Sequence, residues 1–282
     1  MSKTRNVISV LDEKTGELKD YIEIRNGDTL QTKEQKDYWK TKKLKHADKT
    51  EFIWVNYLYN SDFYSFITSE NLTRLMYFST FTNNDCFVMQ DDDVKSMLRI
   101  NPNQVKAFRD EFYNKIITKE GSRLYLDSAL FGKGEMKDNE KDYLRLFTGT
   151  VRLLYENCKK SSEHAYLSYF FRMIPFVNRQ TNILCCNQEE QDREHIAFMT
   201  VTEFLEKIGK THSSRIKKQL QSYRIDGELV IGFFNNLRVL DPKGKYAVVN
   251  PLLYYGGDRN KQNYKFIREL FEKEKAEFCL SK

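Results

Sequence analysis

Residues 209–215, "GKTHSSR", bring three kinds of chemistry-bearing group into one short stretch. Gly209-Lys210-Thr211 has the ending of a nucleotide-binding loop, in which backbone N–H groups cradle phosphates, a lysine reaches them and a hydroxyl holds a magnesium ion. Such a loop needs another glycine five residues before Gly209, where this chain has Phe204. It must also follow a strand, and the residues before Gly209 carry a helical pattern. A phosphate-binding loop is therefore excluded. His212-Ser-Ser-Arg215 has the spacing of the tyrosine-recombinase His-x-x-Arg. That chemistry also needs a second catalytic arginine and a tyrosine nucleophile in recognisable context. With 17 tyrosines in the chain, a downstream tyrosine carries no information. There is no His-x-His pair of the kind a rolling-circle initiator uses for its metal, no HExxH and no serine nucleophile elbow.

Metal and redox chemistry fare no better. Five cysteines (Cys86, Cys158, Cys185, Cys186, Cys279) form no CxxC pair, and four scattered histidines give no zinc spacing. The thiols are expected to be reduced. Asp91, Asp92 and Asp93 precede Val94, Met97 and Leu98, the apolar face of a short helix, and read as charges at the positive end of its dipole. The expectation is a protein without an active site, a cofactor, a metal or an evident small-molecule substrate.

What remains around residue 215 is nucleic-acid chemistry. Ile216, Leu220 and Tyr223 form the inner face of a helix, leaving Thr211, His212, Ser213, Ser214, Arg215, Lys217, Lys218 and Gln221 off that stripe. Arginine pairs with guanine, glutamine with adenine, and serine and lysine hold phosphates. The element before it starts with the capping box Thr200-Val-Thr-Glu203 and runs through Val201, Phe204, Leu205 and Ile208 to Gly209, where a helix terminates. After it, "ELVIGFF" and "KYAVVNPLL" read as strands joined by the turn 241–244, and Arg238, Lys243 and Lys245 add charge to that hairpin. Helix, tight turn, helix, hairpin is the order of a winged helix-turn-helix.

The first half has the same order. "VISVLDEKTGELKDYIEI" (7–24) alternates around a turn at Gly16, which predicts a hairpin. Seven lysines and His46 between Lys33 and Lys49 read as a solvated linker, with an anionic partner as the alternative. Residues 52–67 predict a strand and then a helix, and residues 71–82 a buried helix with Leu72, Leu75, Met76 and Ser79 in line. Asn101 caps the next helix with Pro102 at its first position. Its core face is Val105, Phe108, Phe112 and Ile116, which turns Asn103, Gln104, Lys106 and Arg109 outward as candidate DNA contacts. Asp110 and Glu111 follow, and the three aspartates lie upstream, so this unit suits packing or protein binding as well as DNA. "IITKEGSRLYL" predicts a hairpin turning at Gly121, residues 140–175 carry helical pattern ending at Pro175, and 179–195 read as a polar connector.

The halves also align directly. "LDSALFGKGEMKDN" (126–139) matches "VNPLLYYGGDRNKQ" (249–262) at an offset of 123, pairing Leu130 with Leu253, Phe131 with Tyr254, Gly134 with Gly257 and Glu135 with Asp258. The hairpin "LDEKTGEL", the helix-turn-helix, the wing and the closing Leu-Phe-x-x-Gly-Glu over roughly residues 7–150 resemble the RepL-type plasmid and phage replication proteins of Gram-positive bacteria. "VNPLLYYGGDRNKQNYKF" matches again. The family is one such unit and this chain carries two. The resemblance implies replication initiation: binding an origin and recruiting host replication proteins.

The expected fold class is α+β, mostly helical, with two tandem winged helix-turn-helix domains and short β-hairpin wings. The expected divisions are an N-terminal hairpin and basic linker (1–50), a first winged-helix domain (51–142), connecting helices (143–178) and a second winged-helix domain (179–282). With 40% hydrophobic residues, 282 positions suffice for two cores. A net charge of +6 is too mild to define a partner unless it is concentrated. No run of about 18 apolar residues and no signal-peptide core occur, so the bacterial cytosol is expected and no membrane partner. The functional expectation is sequence-specific binding of double-stranded DNA. A transcription regulator of phage genes, contacting host transcription proteins, is the first alternative, and a protein-interaction module the lesser one.

Overall fold

A computed structural model describes residues 7–11, 18–22, 51–56, 67–134, 142–211, 213–235 and 245–280. The chain divides into two compact units, 1–50 and 51–282. In the first, β1 (Val7–Leu11) pairs antiparallel with β2 (Leu18–Ile22), from Val7↔Ile22 to Leu11↔Leu18, as the alternation predicts. The turn at Gly16 and the lysine-rich stretch lie outside the described residues.

The second unit is α+β, with small antiparallel sheets and, among the described residues, eight helices. It opens with β3 (Phe52–Asn56); the helix predicted after it falls mainly on 57–66, outside the described residues. Helix α1 (Ser69–Ser79) is buried from Asn71 to Ser79 on every side, with Leu72, Leu75, Met76 and Phe78 fully enclosed. A helix so enclosed must satisfy its polar groups internally. The Thr73 hydroxyl donates to the His164 carbonyl (2.7 Å) and Arg74 to the Asn71 side chain (2.6 Å).

Next come β4 (Phe87–Gln90), a 3-10 turn at Asp91–Asp93, α2 (Val94–Leu98) and α3 (Pro102–Phe112). The Asn101 cap of α3 forms as predicted, with Asn101 Oδ1 accepting from Gln104 N (3.0 Å); Gln104 Oε1 also accepts from Asn101 N (3.1 Å), which turns the expected DNA contact back onto the cap. Val105, Phe108 and Phe112 are its buried face. Strands β5 (Ile117–Glu120) and β6 (Arg123–Leu126) then form a hairpin whose turn uses Gly121 at φ +61°. With β4 the sheet order is β4-β6-β5.

Two short strands follow, β7 (Phe131–Gly132) and β8 (Tyr143–Phe147), then α4 (Thr148–Asn157) and α5 (Ser161–Arg172). The helical reading of "DYLRLF", and with it a connecting segment made of helices alone from residue 143, is corrected here. Leu144 and Leu146 alternate into the core, and β8 is an inner strand of a four-stranded sheet, flanked by β3 and by β13 (Tyr254–Tyr255), with β7 beyond β3. A stretch as short as Tyr143–Phe147 fits helix or strand equally, and the partner strand decides.

The chain continues through an irregular stretch to α6 (Val201–Lys207), α7 (Ser213–Leu220), β9 (Arg224–Ile225), β10 (Glu228–Leu229), β11 (Ile231–Asn235), β12 (Lys245–Val249), β13 (Tyr254–Tyr255) and α8 (Gln262–Leu280). The irregular stretch is more than the polar connector expected. Ile183, Leu184 and Cys185 are buried, Leu184 N donates to Ala247 O (2.9 Å), and Val249 N donates to Asn182 O (3.0 Å). Residues 182–184 thus add themselves to β12, whose other neighbour is β11. "ELVIGFF" is also not one strand. Asp226 (φ +51°) and Gly227 (φ +89°) make a two-residue turn that pairs β10 with β9, and β11 begins after Val230.

The registers of the four-stranded sheet repeat about a two-fold axis. Trp54 lies opposite Arg145, Ile53 opposite Leu146 and Val55 opposite Leu144. β7 sets Gly132 against Trp54 and Phe131 against Val55, while β13 sets Tyr255 against Arg145 and Tyr254 against Leu146. Exchanging Trp54 with Arg145 and Val55 with Leu146 maps one set onto the other. The hydrogen bonds follow the same exchange. Asn56 N donates to Leu130 O (2.9 Å) and Phe147 N to Leu253 O (3.0 Å); Ala129 N donates to Asp127 Oδ1 (2.8 Å) and Leu252 N to Asn250 Oδ1 (3.0 Å). Trp54 Nε1 donates to Gly134 O (2.9 Å) and Arg145 Nη1 to Gly257 O (2.7 Å). Asp127, Ala129, Leu130 and Gly134 and their counterparts Asn250, Leu252, Leu253 and Gly257 are residues that align at the offset of 123. One continuous apolar core joins Phe78 and Phe108 to Phe204 and Val249, so the boundaries expected at 142/143 and 178/179 fall inside one compact unit.

Candidate nucleic-acid interface

The positions of α6 and α7 follow from their ends. Thr200 N donates to Glu203 Oε2 (2.7 Å) and Glu203 N to Thr200 Oγ1 (3.2 Å), closing the predicted capping box. At the other end Gly209 has φ +72°, Gly209 N donates to Glu206 O (2.9 Å) and Lys210 N to Leu205 O (2.8 Å). This pair of bonds around a left-handed residue is a Schellman stop. Gly209-Lys210-Thr211 therefore ends a helix and turns the chain toward α7.

Helix α7 presses Ile216 (6% exposed) and Leu220 (0%) inward. Thr211, Ser214, Arg215, Lys217, Lys218 and Gln221 are exposed, and α7 contains no acidic residue. The cations are not equivalent. Lys217 Nζ sits 5.1 Å from the centre of the Phe233 ring on β11, so its stem lies along the hairpin. Arg224 donates to the carbonyls of Gln221 and Tyr223, covering the last turn of α7. The Tyr223 hydroxyl donates to Glu163 O (2.5 Å), anchoring that end to α5. His212, Arg238 and Lys243, and the side chains of Ser213 and Lys245, lie outside the described residues. Two residues beside this face escaped the sequence reading: Ser222, exposed after Gln221, and Arg224. The Asp226-Gly227 dipeptide marks the tight hairpin that places Arg224.

The corresponding face of α3 is different. Asn103 and Lys106 are exposed, but Gln104 is occupied in the cap. Arg109 is committed elsewhere: it meets Asp91 Oδ1 at 2.8 Å and donates to Asp91 O (3.2 Å). Asp91 also accepts from Lys119 (2.5 Å) and the Tyr113 hydroxyl (2.6 Å). Its carboxyl is thus a buried anchor tying the 3-10 turn to α3 and β5, a tertiary role in addition to the position ahead of α2 that the sequence predicts. Burial pushes the Asp91 carboxyl up, but the Lys119, Tyr113 and Arg109 contacts outweigh this and hold it below the usual carboxylate range. Asp92, Asp93 and Asp110 are exposed, and Asp92 lies across a surface hollow from Asp110 of α3. A hollow of about 520 Å³ beside it is lined by Glu70, Arg74, Asp110 and Glu111 among others. Glu111 faces inward, accepting from Thr68 N (2.7 Å) and Oγ1 (2.9 Å) at the start of α1.

The thiols have no chemistry assigned to them by this geometry. Cys86, Cys158, Cys185 and Cys186 are free, and burial pushes Cys158 up to about 11 and Cys185 up to about 12. Among the described residues no three His, Cys, Asp or Glu side chains gather as metal ligands, and no helix is long and apolar enough to cross a membrane. The chain matches no family model, no curated protein and no solved structure with which it was compared.

Proposed function

We propose that this chain binds double-stranded DNA sequence-specifically, with two winged helix-turn-helix units in tandem and α7 as the principal reading helix. The carrying observation is an acid-free helix exposing Ser214, Arg215, Lys217, Lys218 and Gln221, set between a capped helix with a glycine stop and a β-hairpin. The order of elements supports the winged reading. In the first half α2 and α3 fall between β4 and β5 of a β4-β6-β5 sheet. In the second, α6 and α7 fall between the 182–184 segment and β11, with β12 in the middle. The repeated registers support two units of one design fused back to back. Were α3 to read DNA beside α7, one chain would meet two major-groove segments about 34–36 Å apart without dimerisation.

Replication initiation in a bacterial cytosol is the role that the RepL-type resemblance implies, and it is the role we propose. Operator binding by a transcription regulator is its rival, since both need only recognition. For the half that contains α3 one observation favours a different use. Arg109 is consumed by Asp91, and Asp110 on α3 shares a surface hollow with Asp92, so this face suits a host protein better than phosphates. The test is selection of bound duplexes from a random pool, then titration of the winner at two salt concentrations. An enriched site held above about 10³ over random DNA supports the proposal. Weak, salt-sensitive binding without enrichment overturns it. The site's position, in an origin or a promoter, separates the two roles.

A further inference from the structure

At the root of the β11–β12 hairpin lies a buried polar node. Arg268 of α8 donates to both oxygens of Glu228 on β10 (2.6 and 2.8 Å) and to Asn250 Oδ1 (3.2 Å), just beyond β12. Asn250 in turn donates to Glu228 Oε2 and to Leu229 O, both at 3.0 Å. The Glu228 side chain is 7% exposed, that of Arg268 16%, and Asn250 is fully enclosed. A buried carboxylate and guanidinium held bidentately accept one geometry and are costly to separate. The node therefore locks three segments: the strand before β11, the residue after β12, and the C-terminal helix. The root of the hairpin is also tied to the turn that follows α7: Val230 N donates to Tyr223 O (3.2 Å) and Asn250 N to Val230 O (2.8 Å). Farther along α8, Phe271 packs edge-on against Phe234 (5.2 Å), Gly232 lets the rings close over the strand, and Lys275 donates to Asp226 O (2.6 Å).

We propose that Arg268 is a positioning residue: through Glu228 and Asn250 it sets the angle at which the β11–β12 hairpin stands beside the exposed face of α7. The inference rests on the DNA reading and deepens it by assigning the C-terminal helix a part in phosphate contact. From the root pair Ile231↔Val249 to the pair Asn235↔Lys245 the hairpin advances four residues. That is about 13 Å, so a tilt of about 10° at the root displaces the far pair by about 2 Å, beyond the tolerance of a hydrogen bond.

The test uses the full chain carrying Arg268→Met, with the double variant Arg268→Met/Glu228→Gln in case the lone buried carboxylate prevents folding, and Arg268→Lys as the conservative variant. Amide exchange is followed in β11–β12 and in α7, and binding is titrated on the duplex that the wild type selects and on random duplex. We expect at least tenfold faster exchange along β11–β12 with α7 unchanged. The salt slope should fall by about 1–2, at about 0.9 per lost phosphate contact, with the specific-to-random ratio kept within about threefold. Arg268→Lys should recover part of the slope. Unchanged exchange in the hairpin overturns the positioning role, as does an equal rise in α7. Faster hairpin exchange in a protein whose wild type binds no duplex overturns the DNA reading and, with it, the part assigned to Arg268 in binding.

Discussion

Arg215 and Lys217 are two cations on one helix, and the structure gives them different futures. Taking the mean direction of Ile216 and Leu220 as inward, at about 100° per residue Lys217 lies about 80° from that direction, Arg215 and Gln221 about 120°, and Lys218 about 180°. Lys217 also lies along the Phe233 ring. If α7 enters a major groove, Arg215, Lys218 and Gln221 face base edges and Lys217 meets the backbone beside the hairpin. A bidentate arginine–guanine contact is worth about 1–3 kcal/mol of discrimination, so Arg215→Ala should lower the specific-to-random affinity ratio by about 5- to 150-fold. Lys217→Ala should weaken both duplexes alike and reduce the salt slope by about 0.9. The assay is a titration of each variant on the selected and the random duplex at several salt concentrations, with melting curves to verify the fold. Equal loss on both duplexes for Arg215→Ala, or a larger loss of ratio for Lys217→Ala, would refute the orientation given to α7.

Other consequences concern stability. Asp91→Asn should lower the melting point at neutral pH, since the depressed carboxyl contributes stability present above its unfolded pKa; the difference from wild type should close as pH falls below about 4. A gap that persists unchanged into acid would remove the charge from the explanation. His164 is held neutral by burial and by Arg74, so its folded pKa lies below the ordinary histidine value and its Nε2 is enclosed without a partner. Wild type should therefore lose stability as pH drops below about 6.5, and His164→Gln should flatten that slope in denaturant titrations at successive pH values. At Gly209 a Cβ would meet nothing within 4 Å, so Gly209→Ala should incur only the left-handed backbone penalty, about 1–2 kcal/mol by melting. A much larger loss would mean that the turn between α6 and α7 carries tertiary contacts.

Much of the local structure was legible along the chain. The cap at Asn101, the box at Thr200/Glu203, the stop at Gly209 and the turn at Gly121 involve residues within a few positions of one another. Their partners are therefore visible as spacing. The apolar faces of α3 and α7 were readable for the same reason, because a helix repeats its inward side every three or four residues. The face offered by α7 follows from those signals alone. The face of α3 does not: Arg109 looked outward by periodicity and is turned to Asp91, 18 residues earlier, by a contact no local pattern encodes.

Sequence alone determined where α3 and α6 start and where α6 stops, which side of α3 and α7 is apolar, and that a strip near residue 130 recurs near residue 253. Folding decided the rest. β8 became a strand because β3 and β13 flank it, 182–184 became structural because β12 needed a neighbour, and Arg268 and Glu228, 40 positions apart, became one node. Sheet pairing and buried ion pairs depend on which distant segments the core brings together, and loop closure sets no pattern in the intervening residues. The two-fold registers through Trp54 and Arg145 are the clearest case. A tryptophan and an arginine share no chemistry that an alignment would pair, yet each donates to the equivalent glycine carbonyl because the backbone around them repeats.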